Sequence, residues 1–182
     1  LVYDYVEGDM WDGDMASVAR LLLRKEAADP AGFRTVPLDP RDIIAEGDAL
    51  FARCISPPDV IPPPQAKVPP PQRLSLIHTD IGVNLVGAGS GLRLIDWQCP
   101  ATGDVCEDIY SFLSPAFQIL GMRTPLTDAQ VQDFWQAHGR PDLEERYNLL
   151  RPAYAWRFAG YCAWRSEVLE EAEICARYRR AL

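Results

Sequence analysis

Apolar and polar residues alternate along the chain in two distinct rhythms, and the change of rhythm marks its elements. Residues 1–6 alternate apolar and β-favouring types, and Glu7-Gly8 breaks the run, which predicts a short strand entering a turn. Val18, Leu21, Leu22 and Lys25 then trace one helical face; Asp14 is the expected N-cap of a helix over 15–28, and Asp29-Pro30 stops it. Ile43, Ile44, Leu50 and Phe51 predict a second helix over 40–54. Two strand-like pieces, 84–86 and 92–95, flank GAGSG and read as a β-hairpin. After Asp96 the rhythm turns helical. Ile109, Phe112, Leu113 and Phe117 predict a helix over 108–120. Thr127 heads a capped helix over 129–138 that Gly139-Arg140-Pro141 ends. Asp142 is expected to cap a long helical region reaching the end, broken near Arg151-Pro152. The expected class is α+β and mainly helical.

Proline changes this picture at residues 57–71, PPDVIPPPQAKVPPP. Proline fixes φ and lacks an N–H, so this run is expected to be an extended, stiff connector. Glycine changes it less. The GAGSG loop invites a phosphate-loop reading, but no helix opening with Lys-Ser/Thr follows it, so it is read as a plain turn.

Composition narrows the class of partner. The formal charge of −8 argues against a nucleic-acid-binding face and permits a cationic substrate. No apolar run approaches the roughly 20 residues of a membrane span, and no signal peptide is visible. The 5 cysteines form no CxxC pair, which favours buried thiols in a reducing cytoplasm over a disulfide framework or a zinc site. The chain starts at Leu1 within a strand-like stretch, so upstream sequence is expected to be missing from it.

The candidate chemistry sits in one segment: His78-Thr79-Asp80, then Asn84, then Asp96 after a second strand. Phosphoryl transfer asks a protein for an oriented hydroxyl and for neutralised phosphate charge, with little covalent help. A carboxylate at a strand end can orient the hydroxyl and take its proton. An amide oxygen and a second carboxylate are the hard donors magnesium prefers. The predicted hairpin brings Asp80 and Asp96 together.

Three motifs then resemble one family. LIHTDIGVN is similar to the catalytic loop H-G-D-x-x-x-x-N of aminoglycoside phosphotransferases and choline kinases, LIDW to their magnesium-binding I-D-[WFY], and GDVCEDIYSF to their G-D-P-x-x-D-L-A. LVYDYVEG resembles, more weakly, the hinge strand that receives adenine. The resemblance implies a protein-kinase-like C-terminal lobe with its N-terminal lobe absent, using ATP and Mg2+ on a hydroxyl of a small molecule of the aminoglycoside, choline or amino-alcohol type. It implies Asp80 as catalytic base, Asn84 and Asp96 as magnesium ligands, and His78 and Asp108 as braces of the loop, Asp108 from a helix start. Asp4 and Val6 would offer backbone groups to adenine. Residues 1–182 then form one lobe: hinge strand 1–8, connector 57–71, catalytic and metal-binding segment 74–112, and helical subdomain 113–182.

Three departures accompany the resemblance. Asn84 follows Asp80 by four residues where the family has five, and Val105 replaces the family's proline. No upstream lobe supplies the phosphate-contacting lysine, and Lys25 and Lys67 are the only lysines, one within a predicted helix and one in the proline-rich run. The chain alone is therefore expected to be inactive. A non-catalytic, pseudokinase-like relic or binding module is the alternative, and a metal-dependent hydrolase using His78, Asp80 and Asp96 is a third reading. Tyr154, Trp156, Phe158, Tyr161 and Trp164 fit either a core stripe or an aromatic cage for a cation.

Overall fold

Local capping chemistry sets the first two helices. In a computed structural model, which describes residues 5–182, α1 (Met15–Lys25) starts where Asp14 accepts from the Ala16 and Ser17 N–H groups at 3.1 and 3.3 Å. α2 (Pro40–Phe51) starts at Asp39, which accepts from Arg41 N–H at 2.9 Å, with Pro40 supplying a preset φ in the first turn. Both end three residues before the expected limits of 28 and 54, in short turns that close onto the last carbonyls. The connector beyond α2 has no regular structure, as its prolines predict, and Arg146 pins it by donating to the Pro69 carbonyl at 2.6 Å.

Two small antiparallel sheets follow. β1 (Ser75–Ile77) pairs with β4 (Ala101–Gly103), Leu76 opposite Thr102. Between them, β2 (Leu85–Val86) and β3 (Arg93–Leu94) form the expected hairpin around a 3-10 turn at Gly89–Gly91. The chain before α1 runs beside this hairpin, with an isolated bridge from Met10 to Val86 and a Trp11 N–H bond to Leu85 O at 3.0 Å. Residues 5–8 of the expected hinge strand are not in a strand.

Helices complete the chain. The predicted helix over 108–120 is two: α3 (Val105–Leu113) and α4 (Pro115–Leu120). Pro115 forces Ser114 out of the helical region, to ψ 126°, and splits them. The cap of α3 is Asp104, accepting from Cys106 N–H at 3.0 Å, so Asp108 lies one turn inside the helix and not at its start. α5 (Asp128–His138) has the full capping box between Thr127 and Gln130 and ends at Gly139, φ +68°.

Arg140 occupies the N-cap position of α6 (Pro141–Val168) without a side-chain capping bond, and Asp142, the expected cap, sits in the first turn. It runs unbroken through Pro152, against expectation. Pro152 is exposed, so the carbonyl that loses its bond there can face water. The break falls later, at extended Leu169, before α7 (Ala172–Arg180).

One main core joins the helices and the β2–β3 hairpin, and a small separate cluster of Val36, Ile77 and Ala101 packs at the β1–β4 sheet. Val18, Leu22, Ile43, Ile81, Leu85, Ile109, Phe112, Phe134, Leu150 and Tyr154 are all buried within the main core. Each such side chain contributes about 1.5–3 kcal/mol by leaving water. The Phe112 ring meets Trp11 at 5.4 Å and Phe134 at 5.5 Å, tying the N-terminal segment and α5 to α3. The loops after β1 and β3 are mounted on this core.

Candidate active site

Asp108 organises the first loop. Its carboxylate is fully buried on α3 and accepts the His78 N–H at 3.0 and 2.9 Å and the Thr79 N–H at 2.8 Å. Thr79 adopts φ +70°, a left-handed conformation that costs a non-glycine residue on the order of 1–3 kcal/mol. Two charge-assisted bonds across that peptide hold it there. Two residues on, Ile81 N–H donates to Ser111 Oγ at 3.0 Å, also on α3.

His78 links this loop to the second. Its ring is buried, and Nδ1 accepts the Asp80 N–H at 3.3 Å. The proton therefore sits on Nε2, which donates to the Ile95 carbonyl at 2.9 Å. Trp97 packs edge-on against the ring at 4.6 Å. Ile95 N–H in turn donates to Asn84 O at 3.0 Å. Asp96, next in line, takes φ +62° and accepts from Gln98 Nε2 at 2.9 Å. Asn84 donates Nδ2 to the Asp80 carbonyl at 2.8 Å, which leaves its amide oxygen for another partner.

Asp80, Asn84 and Asp96 line one cavity of about 490 Å3. Its far wall is aromatic. Phe117 of α4 stacks on Phe158 of α6 at 3.9 Å and 16°, Phe158 continues to Tyr161 at 5.9 Å, and Tyr161 meets Tyr178 of α7 at 5.9 Å. Arg157 also lines it, held by Glu107 at 2.6 Å and Glu46 at 3.3 Å. Cavities of about 650 and 580 Å3 lie elsewhere, but neither gathers these groups, and convergent chemistry identifies a site better than size.

The electrostatics of the cavity concern Asp80 first. Its side chain reaches solvent, yet the concave wall desolvates the carboxylate, and that burial raises its pKa above the ordinary value. The Asp96 charge raises it further. The direction is that of a carboxylate made a better proton acceptor.

The structure thus brings together Asp80, Asn84 and Asp96 at the cavity, with His78 and Asp108 behind them. It does not bring Val6 there: Val6 is exposed and outside the lining. Asp4 lies outside the described residues. The aromatic set divides between the core, the surface of the helical body and the cavity. Tyr154 is core, Trp156 packs on Phe51 at 4.5 Å, Arg53 covers Trp164 at 3.9 Å, and Phe158 and Tyr161 face the cavity. Sequence reasoning missed Phe117, Arg157 and Tyr178, which three separate helices deliver. The i, i+3 spacing of Phe158 and Tyr161 was the one available signal.

The described fold, a helical body carrying a loop-and-hairpin site, is that of kinase-like proteins. It is similar to a choline/ethanolamine kinase family protein from Mesorhizobium loti, with TM-score 0.54 and 14% identity, over 93% of this chain and 60% of that one. In sequence, 97 residues are 27% identical to the thiamine kinases of Salmonella heidelberg (strain SL476) and Salmonella typhimurium (strain LT2). That stretch is 53% of this chain and 32% of each relative, so the matched region spans about a third of those enzymes. No family model matches the sequence. Among the described residues, no helix is long and apolar enough to cross a membrane.

Proposed function

We propose that this chain is the acceptor-binding and catalytic-loop part of an ATP- and magnesium-dependent phosphotransferase acting on a hydroxyl of a small molecule. The observation that carries this reading is the meeting of Asp80, Asn84 and Asp96 in one cavity opposite an aromatic wall. In this reading Asp80 holds the acceptor hydroxyl in line and takes its proton, a role its raised pKa favours. The His78 N–H and Nδ1 bonds fix the backbone that aims it. The Phe117, Phe158 and Tyr161 rings bind the body of the acceptor and exclude water, and they suit a cationic or flat group.

The donor set fits magnesium. Asp96 and the uncommitted amide oxygen of Asn84 are hard oxygens, and magnesium is commonly held by one or two protein ligands with water and phosphates. Bound there, the ion would neutralise charge on the phosphates. A hydrolytic zinc site takes three or more protein ligands, and no group of three or more His, Cys, Asp or Glu suited to a metal occurs among the described residues.

The relatives named as thiamine and choline/ethanolamine kinases motivate the acceptor panel. In a protein carrying this segment together with a nucleotide-covering lobe, transfer from magnesium-ATP is measured to thiamine, choline, ethanolamine and aminoglycosides. Asp80→Ala is expected to lower kcat by about 10³-fold or more with the fold intact. Asp96→Ala is expected chiefly to weaken magnesium-nucleotide binding. Near-normal turnover in Asp80→Ala removes the assigned base. Nucleotide binding without transfer to any acceptor favours a binding module instead.

A further inference from the structure

Lys25 occupies an unusual position for a lysine. It lies in the last turn of α1, where a basic residue ordinarily reaches into water and offsets the helix dipole. Here it is turned inward, and its side chain is 5% exposed. Its Nζ lies 2.8 Å from Asp108 Oδ2 and donates to the Leu76 carbonyl at 2.6 Å. It is absent from the cavity lining and touches nothing a substrate would touch. A buried ammonium is retained only where its partners compensate the lost hydration.

Those partners define what it does. Leu76 belongs to β1, and the two residues after β1 are His78 and Thr79, whose N–H groups are held by Asp108. Lys25 therefore binds the strand that feeds the loop and the carboxylate that grips the loop. It compensates the charge of a carboxylate with no exposed surface, and it fixes that carboxylate against the strained Thr79 peptide. Asp80 is the next residue. A shift at Asp108 is passed to Asp80 through one strained peptide.

Building on the phosphotransferase reading, we infer that Lys25 is a positioning residue: clamped between Asp108 and the Leu76 carbonyl, it holds the His78–Thr79 backbone so that Asp80 is aimed at the acceptor hydroxyl. Small misplacements of a reacting group are costly, about 10²-fold for roughly 1 Å. The effect falls on turnover, because Lys25 makes no contact in the cavity.

The test compares the unaltered protein with Lys25→Met and Lys25→Arg. Amide hydrogen exchange at His78 and Thr79 is followed by NMR, and kcat and both KM values are measured in the full-length enzyme. Lys25→Met is expected to exchange these two amides at least about tenfold faster and to lose about 10²-fold in kcat, with each KM within about threefold. A folded Lys25→Met with wild-type kcat overturns the inference, because a purely structural lysine lowers stability alone. If Lys25→Met does not fold, Lys25→Arg decides. Its planar guanidinium cannot reproduce the two-acceptor slot, so faster exchange and about tenfold lower kcat are expected, and wild-type values of both overturn the inference. If the unaltered protein transfers no phosphate, the functional reading fails by itself. Exchange at residues 78 and 79 still decides the clamp, and unchanged protection in the variants overturns it.

Discussion

Gly47→Ala tests how the helical body sets the cavity wall, because two physical effects predict opposite signs. Helix propensity alone favours alanine over glycine by about 1 kcal/mol within α2. Packing opposes it. A Cβ at Gly47 would lie 2.5 Å from Trp156 Cδ1 and 3.0 Å from Arg157 Cα, both on α6. The indole cannot swing away freely: Nε1 donates to Asp48 Oδ1 at 2.8 Å, and the ring packs on Phe51 at 4.5 Å. The Arg157 contact is backbone and has no rotamer to change. A Cβ at Gly160, on the facing side of the same crossing, would meet the Gly47 carbonyl at 2.8 Å, so the two helix backbones are already close.

Overpacking of this kind costs typically about 1–3 kcal/mol, and more where backbone must move. The backbone contact at Arg157 puts the cost in the upper part of that range, about 2–3 kcal/mol, so after the propensity gain of about 1 kcal/mol the expected net is a destabilisation of about 1–2 kcal/mol. In urea unfolding the midpoint should fall with the m-value unchanged, and Tm should drop by roughly 2–8 °C for a domain of this size. Any displacement of α6 also carries Arg157, Phe158 and Tyr161, so acceptor KM should rise more than nucleotide KM. A midpoint equal to or above that of the unaltered protein refutes the packing argument, since propensity alone would then account for the result.

Two further outcomes are expected. His138 is buried beside Phe134 and Trp135 with neither ring nitrogen hydrogen-bonded, and burial, aided by the Arg140 charge, holds its pKa down to about 4. The unfolded chain therefore binds the proton first, and stability from this site, full above about pH 6.5, is lost as pH falls toward 4. Glu26, 3.8 Å away and raised by burial, works in the opposite direction, so His138→Phe should flatten the net acid loss in urea midpoints between pH 7 and 4.5, and an unchanged slope contradicts this. In the hairpin, replacing residues 87–91 by Asn-Gly should leave nucleotide affinity unchanged, because the loop serves only to turn β2 into β3; a selective loss of affinity in a folded variant would show that it contacts phosphate.

What the sequence made legible was local. Asp14 and Thr127 announce helix starts because each bonds backbone two or three residues away. The HTD and IDW stretches flank a hairpin whose glycines specify the turn, so the approach of Asp80 to Asp96 is a short-range consequence. The rest depends on contacts between distant segments. Nothing near Ser75 signals that it pairs with Gly103, and nothing near Lys25 signals a partner on α3. Pro152 reads as a breaker until its face of α6 is known to be the solvent side. Phe117, Phe158 and Tyr178 each look like core residues of their own helices; only the crossing of α4, α6 and α7 makes them a wall.

The shortened loop between Asp80 and Asn84 is where sequence and structure bear most closely on function. In an extended loop, deleting one residue would withdraw the asparagine by about 3.3–3.6 Å, enough to take it out of a shared coordination sphere. The loop here is not extended. Asn84 N–H bonds back to Ile81 O at 2.7 Å, and Leu85 N–H to Val83 O at 2.8 Å, so the backbone turns back on itself twice within five residues. Gly82, at φ +31°, supplies a conformation that L side chains rarely adopt. The turn returns the Asn84 side chain to the Asp80 carbonyl at 2.8 Å. Loop length therefore does not decide whether the two residues meet; the tightness of the turn does. The missing residue is absorbed by the turn, and Asp80, Asn84 and Asp96 still line the same cavity.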